Sequence, residues 1–217
     1  CLSAKWSQEG NMTIRRLRLV ALLGALLFVG ISVAVTLWGL DTQRNDALLI
    51  NLAGRQRMLI KQMALEALTV QIADDTTSRR MLHETADLFE QTLEALAHGG
   101  ATQTTEGGSV TLSPPDEHDA EIIAQLDRVR ATWDELHSAI HILLENEPQS
   151  AAFAEAMKTV ETLSPVLLAR MDEAVQLYEA DSKGKVAFVR AIQIGFLATS
   201  AILLRFAFVI IEYRVLR

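Results

Sequence analysis

Two long apolar runs bracket this chain and dictate its topology. Leu19 to Leu40 carries no charged residue, and a helix of that length, rising about 1.5 Å per residue, crosses a hydrocarbon core of roughly 30 Å. Ala191 to Ile211 is a second such run, with Gln193 and Arg205 its strongly polar members. The first is longer than the apolar region of a secretory signal and lacks a small-residue cleavage site, so it reads as a retained anchor. Arg205 lies toward the far end of its span, where a long side chain can snorkel to the interface.

Charge sets the orientation. Arg15, Arg16 and Arg18 precede the first span and Arg214 and Arg217 follow the second, which places both ends on the cytoplasmic side. Residues 41–189 hold 25 acidic and 12 basic residues, a balance of −13, so the intervening region is expected outside. The expected division is a cytoplasmic segment 1–18, spans at 19–40 and 191–211, an outer domain 41–190, and the start of a cytoplasmic linker at 212–217. A field of that sign argues against nucleic acid or an anionic membrane surface as a partner of the outer domain. Cys1 is the only cysteine, so packing rather than an internal disulfide must hold the domain together. Met12-Thr13-Ile14-Arg15-Arg16 has the look of a membrane-protein start.

Between the spans the apolar spacing is helical. Breakers divide it: Asp74 to Ser78, the Gly-, Thr- and Pro-rich stretch Gly99–His118, and Asn146 to Ser150. The helices predicted are about 41–74, 78–98, 117–146 and 149–190, with Thr77 or Ser78 capping the second and Gln149 or Ser150 opening the fourth. Short connections make consecutive helices antiparallel neighbours, giving an all-α, antiparallel four-helix bundle flanked by two transmembrane helices. Pro165 should kink or break the fourth helix. The long stretch 99–118 reads as a loop, and no sheet is expected.

The chemistry concentrates in Ile50-Asn51-Leu52-Ala53-Gly54-Arg55-Gln56-Arg57-Met58-Leu59. Leu49, Leu52, Leu59, Met63 and Val70 form an ordinary core stripe. On another face Ile50, Gly54, Arg57, Lys61, Ala64 and Leu68 follow the 4-3-4-3-4 spacing of a packing seam. Small residues there, with Ala53 beside them, allow a second backbone to approach, and two cations suit an enclosed anion. Arg55, two residues from Arg57, points almost the opposite way and reads as solvated or ion-paired.

Other constellations are weaker. His137 and His141 share a helical face, yet no third metal ligand accompanies them. Val129, Trp133, Leu136, Ile140 and Leu143 read as core. No phosphate loop, cysteine pair or nucleophile motif is present, so no catalytic residue, metal or cofactor is expected.

Asn-Leu-Ala-Gly-Arg-Gln-Arg-Met-Leu just outside a first membrane span resembles the signature of PilJ-type chemotaxis transducers and, more distantly, of Nar-type nitrate/nitrite sensor kinases. Gly99-Gly100 and Trp133 fit the same pattern over about residues 41–190. The resemblance implies a periplasmic four-helix-bundle sensor of the bacterial inner membrane that works as a homodimer. In nitrate-binding members the arginine before the methionine, here Arg57, binds the anion at the dimer interface, and the motif glycine is Gly54. Where such motifs continue Met-Leu-Ser-Gln-Arg, this chain has Met58-Leu59-Ile60-Lys61-Gln62. The ligand-binding set expected is Arg57, Gly54, Ala53, Ile50 and Lys61, and a cytoplasmic output region would follow Arg217. Two alternatives stand beside it. One is a PilJ-like domain answering to a protein or mechanical cue, the other an anchored structural bundle in which Arg57 merely pairs with an acid.

Overall fold

The structure, a computed structural model, describes the backbone of residues 2–104, 107–116 and 119–215, and the side chains of residues 23, 24, 26–104, 107–116, 119–206 and 209. Cys1 and Arg217, His118, and the side chains of Arg15, Arg16, Arg18 and Arg214, which set the expected orientation, lie outside the described residues.

In chain order the elements are α1 (Leu2–Ala73), α2 (Thr76–His98), β1 (Gly100–Gln103), β2 (Ser109–Leu112), α3 (Ala120–Glu145) and α4 (Ala151–Val215). They group into two compact units, one of Cys1–Arg44 with Lys183–Arg217 and one of Asn45–Ser182. The first unit holds the apolar runs of α1 and α4, both long and apolar enough to cross a membrane. Within it Phe28 meets Phe196 edge to face at 4.9 Å, and Gln193 Nε2 donates to Thr36 Oγ1 at 3.3 Å. Gly39 lies against Val189, whose Cγ1 would sit 2.9 Å from an added Cβ. Arg205 is exposed.

The second unit is the antiparallel four-helix bundle. Leu52, Leu59, Met63 and Val70 of α1 are buried with Leu82 and Phe89 of α2, Trp133 and Leu136 of α3, and Phe153 and Leu167 of α4. The core stripes expected on α1 and α3 are therefore the ones that pack. Arg79 locks the end where α1 turns into α2. It donates from Nη1 to Leu143 O and Leu144 O and from Nη2 to Asn146 O, and it pairs with Asp74. These are the orphan carbonyls of the α3 C-terminus, which a cation satisfies and whose dipole it complements.

Four local expectations change. Asp75, not Thr77 or Ser78, caps α2: its Oδ1 accepts from Ser78 N–H at 2.7 Å. That amide holds the Asp75 carboxyl below its ordinary range. Ser150 does open α4, accepting from Phe153 N–H at 3.1 Å, but α4 runs on through Pro165 without a break. The stretch after α2 is not simple loop. Residues 100–103 and 109–112 pair antiparallel, Gly100 opposite Leu112 and Gln103 opposite Ser109. Gly99 at φ 77 makes the turn out of α2, and a Cβ there would lie 2.7 Å from Pro114 N, so only glycine fits. Finally, Ala53 lies in the bundle core at 0% exposure. The helix phase that buries Leu52 and Gln56 carries Ala53 inward with them, so it cannot line an outward seam.

Candidate functional site

The motif of α1 sends its side chains in three directions. Inward, Leu52, Ala53 and Leu59 pack, and Gln56, fully buried, donates from Nε2 to Phe89 O at 2.9 Å. Sideways, Arg55 is half-buried, and among the described residues it is main chain rather than an acid that holds it. Its Nη1 donates to Gln103 O at 2.9 Å and Thr104 O at 3.1 Å, clamping the end of β1 to α1. The hairpin is also tied to α2, by a buried hydrogen bond of 2.9 Å between the hydroxyls of Thr92 and Thr102.

Outward lie Gly54, Arg57, Met58 and Lys61. Arg57 Nη1 is 3.0 Å from Asp172 Oδ1 on α4, with the two side chains 45% and 44% exposed. An acid of another helix thus holds this arginine, as the structural alternative expects. The pair is nevertheless weakly held. Both ends are in water, where such pairs contribute about 0–1 kcal/mol, and Nη2 and Nε make no hydrogen bond or ion pair among the described residues. Lys61, one turn further on, is exposed and unpaired among the described residues.

The outward face is more apolar than water alone would select. Ala47, Asn51, Gly54, Met58, Lys61, Leu65, Leu68 and Ile72 are spaced 4-3-4-3-4-3-4, all exposed or partly so. Met58 is 56%, Leu65 65% and Ile72 85% exposed. This is a heptad stripe whose large apolar members, Met58, Leu65, Leu68 and Ile72, stay exposed. It is rotated slightly from the seam expected: Ile50 and Ala64 sit half-buried at its flank, while Gly54, Lys61 and Leu68 stay on it. Gly54 has no packing reason within the protomer, since a Cβ there would meet nothing within 4 Å. A helix-interior glycine costs up to about 1 kcal/mol relative to alanine.

Residues 38–159, more than half of the chain, match the family model described as "Type IV pili methyl-accepting chemotaxis transducer N-term", PilJ. The chain belongs to the PilJ family. Among solved structures, the ligand binding domain of the P. aeruginosa nitrate receptor McpN is similar. It is 25% identical, with a TM-score of 0.46, over 61% of this chain and 94% of that one. No curated protein matches. Membership makes the chain a sensory receptor domain, a non-catalytic kind of module, carrying two helices apolar enough to span a membrane.

In this PilJ domain the expected ligand set is only partly assembled. Gly54, Arg57 and Lys61 share the outward face, Ile50 borders it and Ala53 leaves it. Two features of the face, Asp172 and the exposed Met58–Ile72 stripe, went unrecognised in the sequence, as did the sideways hairpin clamp of Arg55. The 4-3 spacing signalled the stripe, whereas nothing local signalled Asp172.

A second polar cluster lies between α2 and α3. Glu90 accepts from Arg130 Nη1 at 2.5 Å and from Trp133 Nε1–H, and Arg130 also pairs with Glu94. His137 stacks on Trp133 at 4.9 Å and meets His141 at 4.6 Å. Burial, then the neighbouring His141, pushes the His137 pKa down. Among the described residues no three His, Cys, Asp or Glu are arranged to hold a metal. The cluster joins helices.

Proposed function

We propose that this module senses a small planar oxyanion, nitrate or nitrite first, at an interface between two copies of the chain. Arg57 would hold the anion, and the sensor region would be periplasmic with both chain ends cytoplasmic. The observation that carries this reading is Gly54, with no atom within 4 Å of an added Cβ, between the half-exposed Arg57 guanidinium and a heptad stripe whose large apolar residues are exposed. A glycine kept inside a helix without an intrachain neighbour makes sense when a second helix must come close. Met58, Leu65, Leu68 and Ile72 supply the apolar contacts such an association needs.

Two guanidinium groups about 6 Å apart across a two-fold axis repel by roughly 3 kcal/mol at an effective dielectric of about 20. A planar monovalent oxyanion between them reverses that sign and accepts from both. It would bind the close arrangement better than the open one, and only such a difference shifts a conformational equilibrium. α1 carries the site and α4 flanks it, and each continues as an unbroken helix into an apolar segment. A small displacement of α1 against α4 would then reach a cytoplasmic output.

Calorimetric titration of the whole chain in detergent with sodium nitrate and sodium nitrite tests this. Binding that disappears in Arg57→Ala supports it. Binding that persists unchanged in that variant refutes the site. If neither anion binds the wild type, the Arg57–Asp172 pair is structural, and the reading that remains is a PilJ domain answering a protein or mechanical cue.

A further inference from the structure

We propose that Asp172 is the built-in competitor of the anion: its carboxylate holds Arg57 Nη1 when no ligand is present and exchanges with the ligand for the guanidinium. This rests on the reading that Arg57 takes the anion. The chemistry of the pair motivates it. A carboxylate is itself a planar, singly charged oxyanion, so Asp172 presents to the guanidinium the same pair of acceptor oxygens that nitrate or nitrite presents. At 3.0 Å from Nη1 it occupies a direction from which an anion would approach. An exposed pair of this kind is easily exchanged, unlike the clamp of Arg55 on two main-chain carbonyls.

The exchange has a mechanical consequence. Asp172 belongs to α4, and the ion pair joins α1 to α4 at the level of the motif. Replacing the carboxylate with an external anion transfers Arg57 from its own α4 to the ligand, loosening α4, the helix that carries the second apolar run. Asp172 is thus a positioning residue with two effects. It lowers the affinity for anion and it makes binding felt by α4.

The experiment is nitrate titration of the whole chain in detergent, comparing wild type with Asp172→Asn, Asp172→Ser, Glu173→Gln and Arg57→Ala. Glu173, exposed and next along α4, removes the same charge without touching Arg57. Both Asp172 variants are expected to bind nitrate about two- to fivefold more tightly, the range an exposed pair can contribute, with Glu173→Gln near wild type. Having two Asp172 variants guards against one that fails to fold. Unchanged affinity in the folded Asp172 variants, while Arg57→Ala abolishes binding, overturns the competitor and leaves the site standing. An equal gain in Glu173→Gln also overturns it, since a general field effect would then suffice. If wild type binds no nitrate, the site reading falls and the competitor with it.

Discussion

The two arginines of the motif, two residues apart on α1, do opposite things. Arg55 donates to the carbonyls of Gln103 and Thr104 and fixes the hairpin. Arg57, itself half-exposed, meets a half-exposed carboxylate with one nitrogen, and its other donors have no partner among the described residues. A guanidinium committed to main-chain carbonyls has no reason to change partner, because those carbonyls would lose their donor. One facing an exposed acid can exchange it for another oxyanion at little cost. The same division separates the two sides of α1 as a whole, with a buried side that builds the bundle core and an outward side whose large apolar residues stay exposed.

The sharpest way to break that contrast is at neighbouring residues. Leu59, buried, and Met58, exposed, are adjacent. Leu59→Ala should destabilise the protomer by about 2–5 kcal/mol through transfer and cavity terms, whereas Met58→Ala should change it by less than about 0.5 kcal/mol. Chemical denaturation of the detergent-solubilised chain reads both, and sedimentation reads self-association, which Met58→Ala should weaken. Equal effects on stability would mean that α1 has no spare face.

Arg55→Ala comes next. Losing a charged donor to two carbonyls should cost about 1–3 kcal/mol and raise hydrogen exchange in residues 100–112 first, while nitrate binding at Arg57 persists. If Arg55→Ala instead removed nitrate binding and left the hairpin protected, the roles assigned to the two arginines would be reversed.

Why one arginine was readable and the other was not follows from where their partners lie. Arg57 sits on a 4-3 stripe with Gly54 and Lys61, a pattern contained within α1, so its outward position was legible from spacing. Gln56 and Arg55 reach carbonyls 33 and 48 residues away, and every residue offers a carbonyl, so no side-chain pattern marks the target. Asp172 was one of many acids, singled out only once α4 packs beside α1. The four helices were legible because Asp74–Ser78 and Asn146–Ser150 are strong local breaks. The hairpin was missed because its strands have only four residues each. The alternation Ser109-Val110-Thr111-Leu112, between two glycine pairs and a proline pair, was its only signal. Ala53 was misplaced because a seam drawn from spacing alone has no fixed phase; burial of Leu52 and Gln56 sets it.

Gly54→Ala has a smaller effect and a more discriminating one. With open space over the glycine, alanine should stabilise the protomer by up to about 1 kcal/mol through helix propensity, yet hold the second copy away. The expected result is a higher unfolding midpoint together with weaker self-association and weaker nitrate binding. Stabilisation without either loss would show that no helix approaches there.

The smallest effect concerns pH, and it tests the committed side of the bundle, where α2 meets α3. Partial burial, followed by repulsion from His141, lowers the His137 pKa below the ordinary 6.5; Glu90, Asp87 and Asp134 pull upward without prevailing. An unfolded chain therefore binds this proton at a higher pH than the folded one does. Where the unfolded state binds more protons, stability rises with pH. The contribution of His137 is thus complete above about pH 6.5 and is lost as pH falls toward and through the depressed folded value. Unfolding midpoints at pH 7.5 and 5.5 should differ in that sense, and His137→Gln should shrink the difference. A midpoint that rises on acidification would mean that the carboxylates around Trp133 outweigh burial, and that Glu90 holds a charged histidine rather than only Arg130 and the indole. The outward face should be indifferent to that variant, because His137 lies on α3 against Trp133 while the seam belongs to α1. An altered nitrate affinity in His137→Gln would show instead that the two sides of the bundle are coupled.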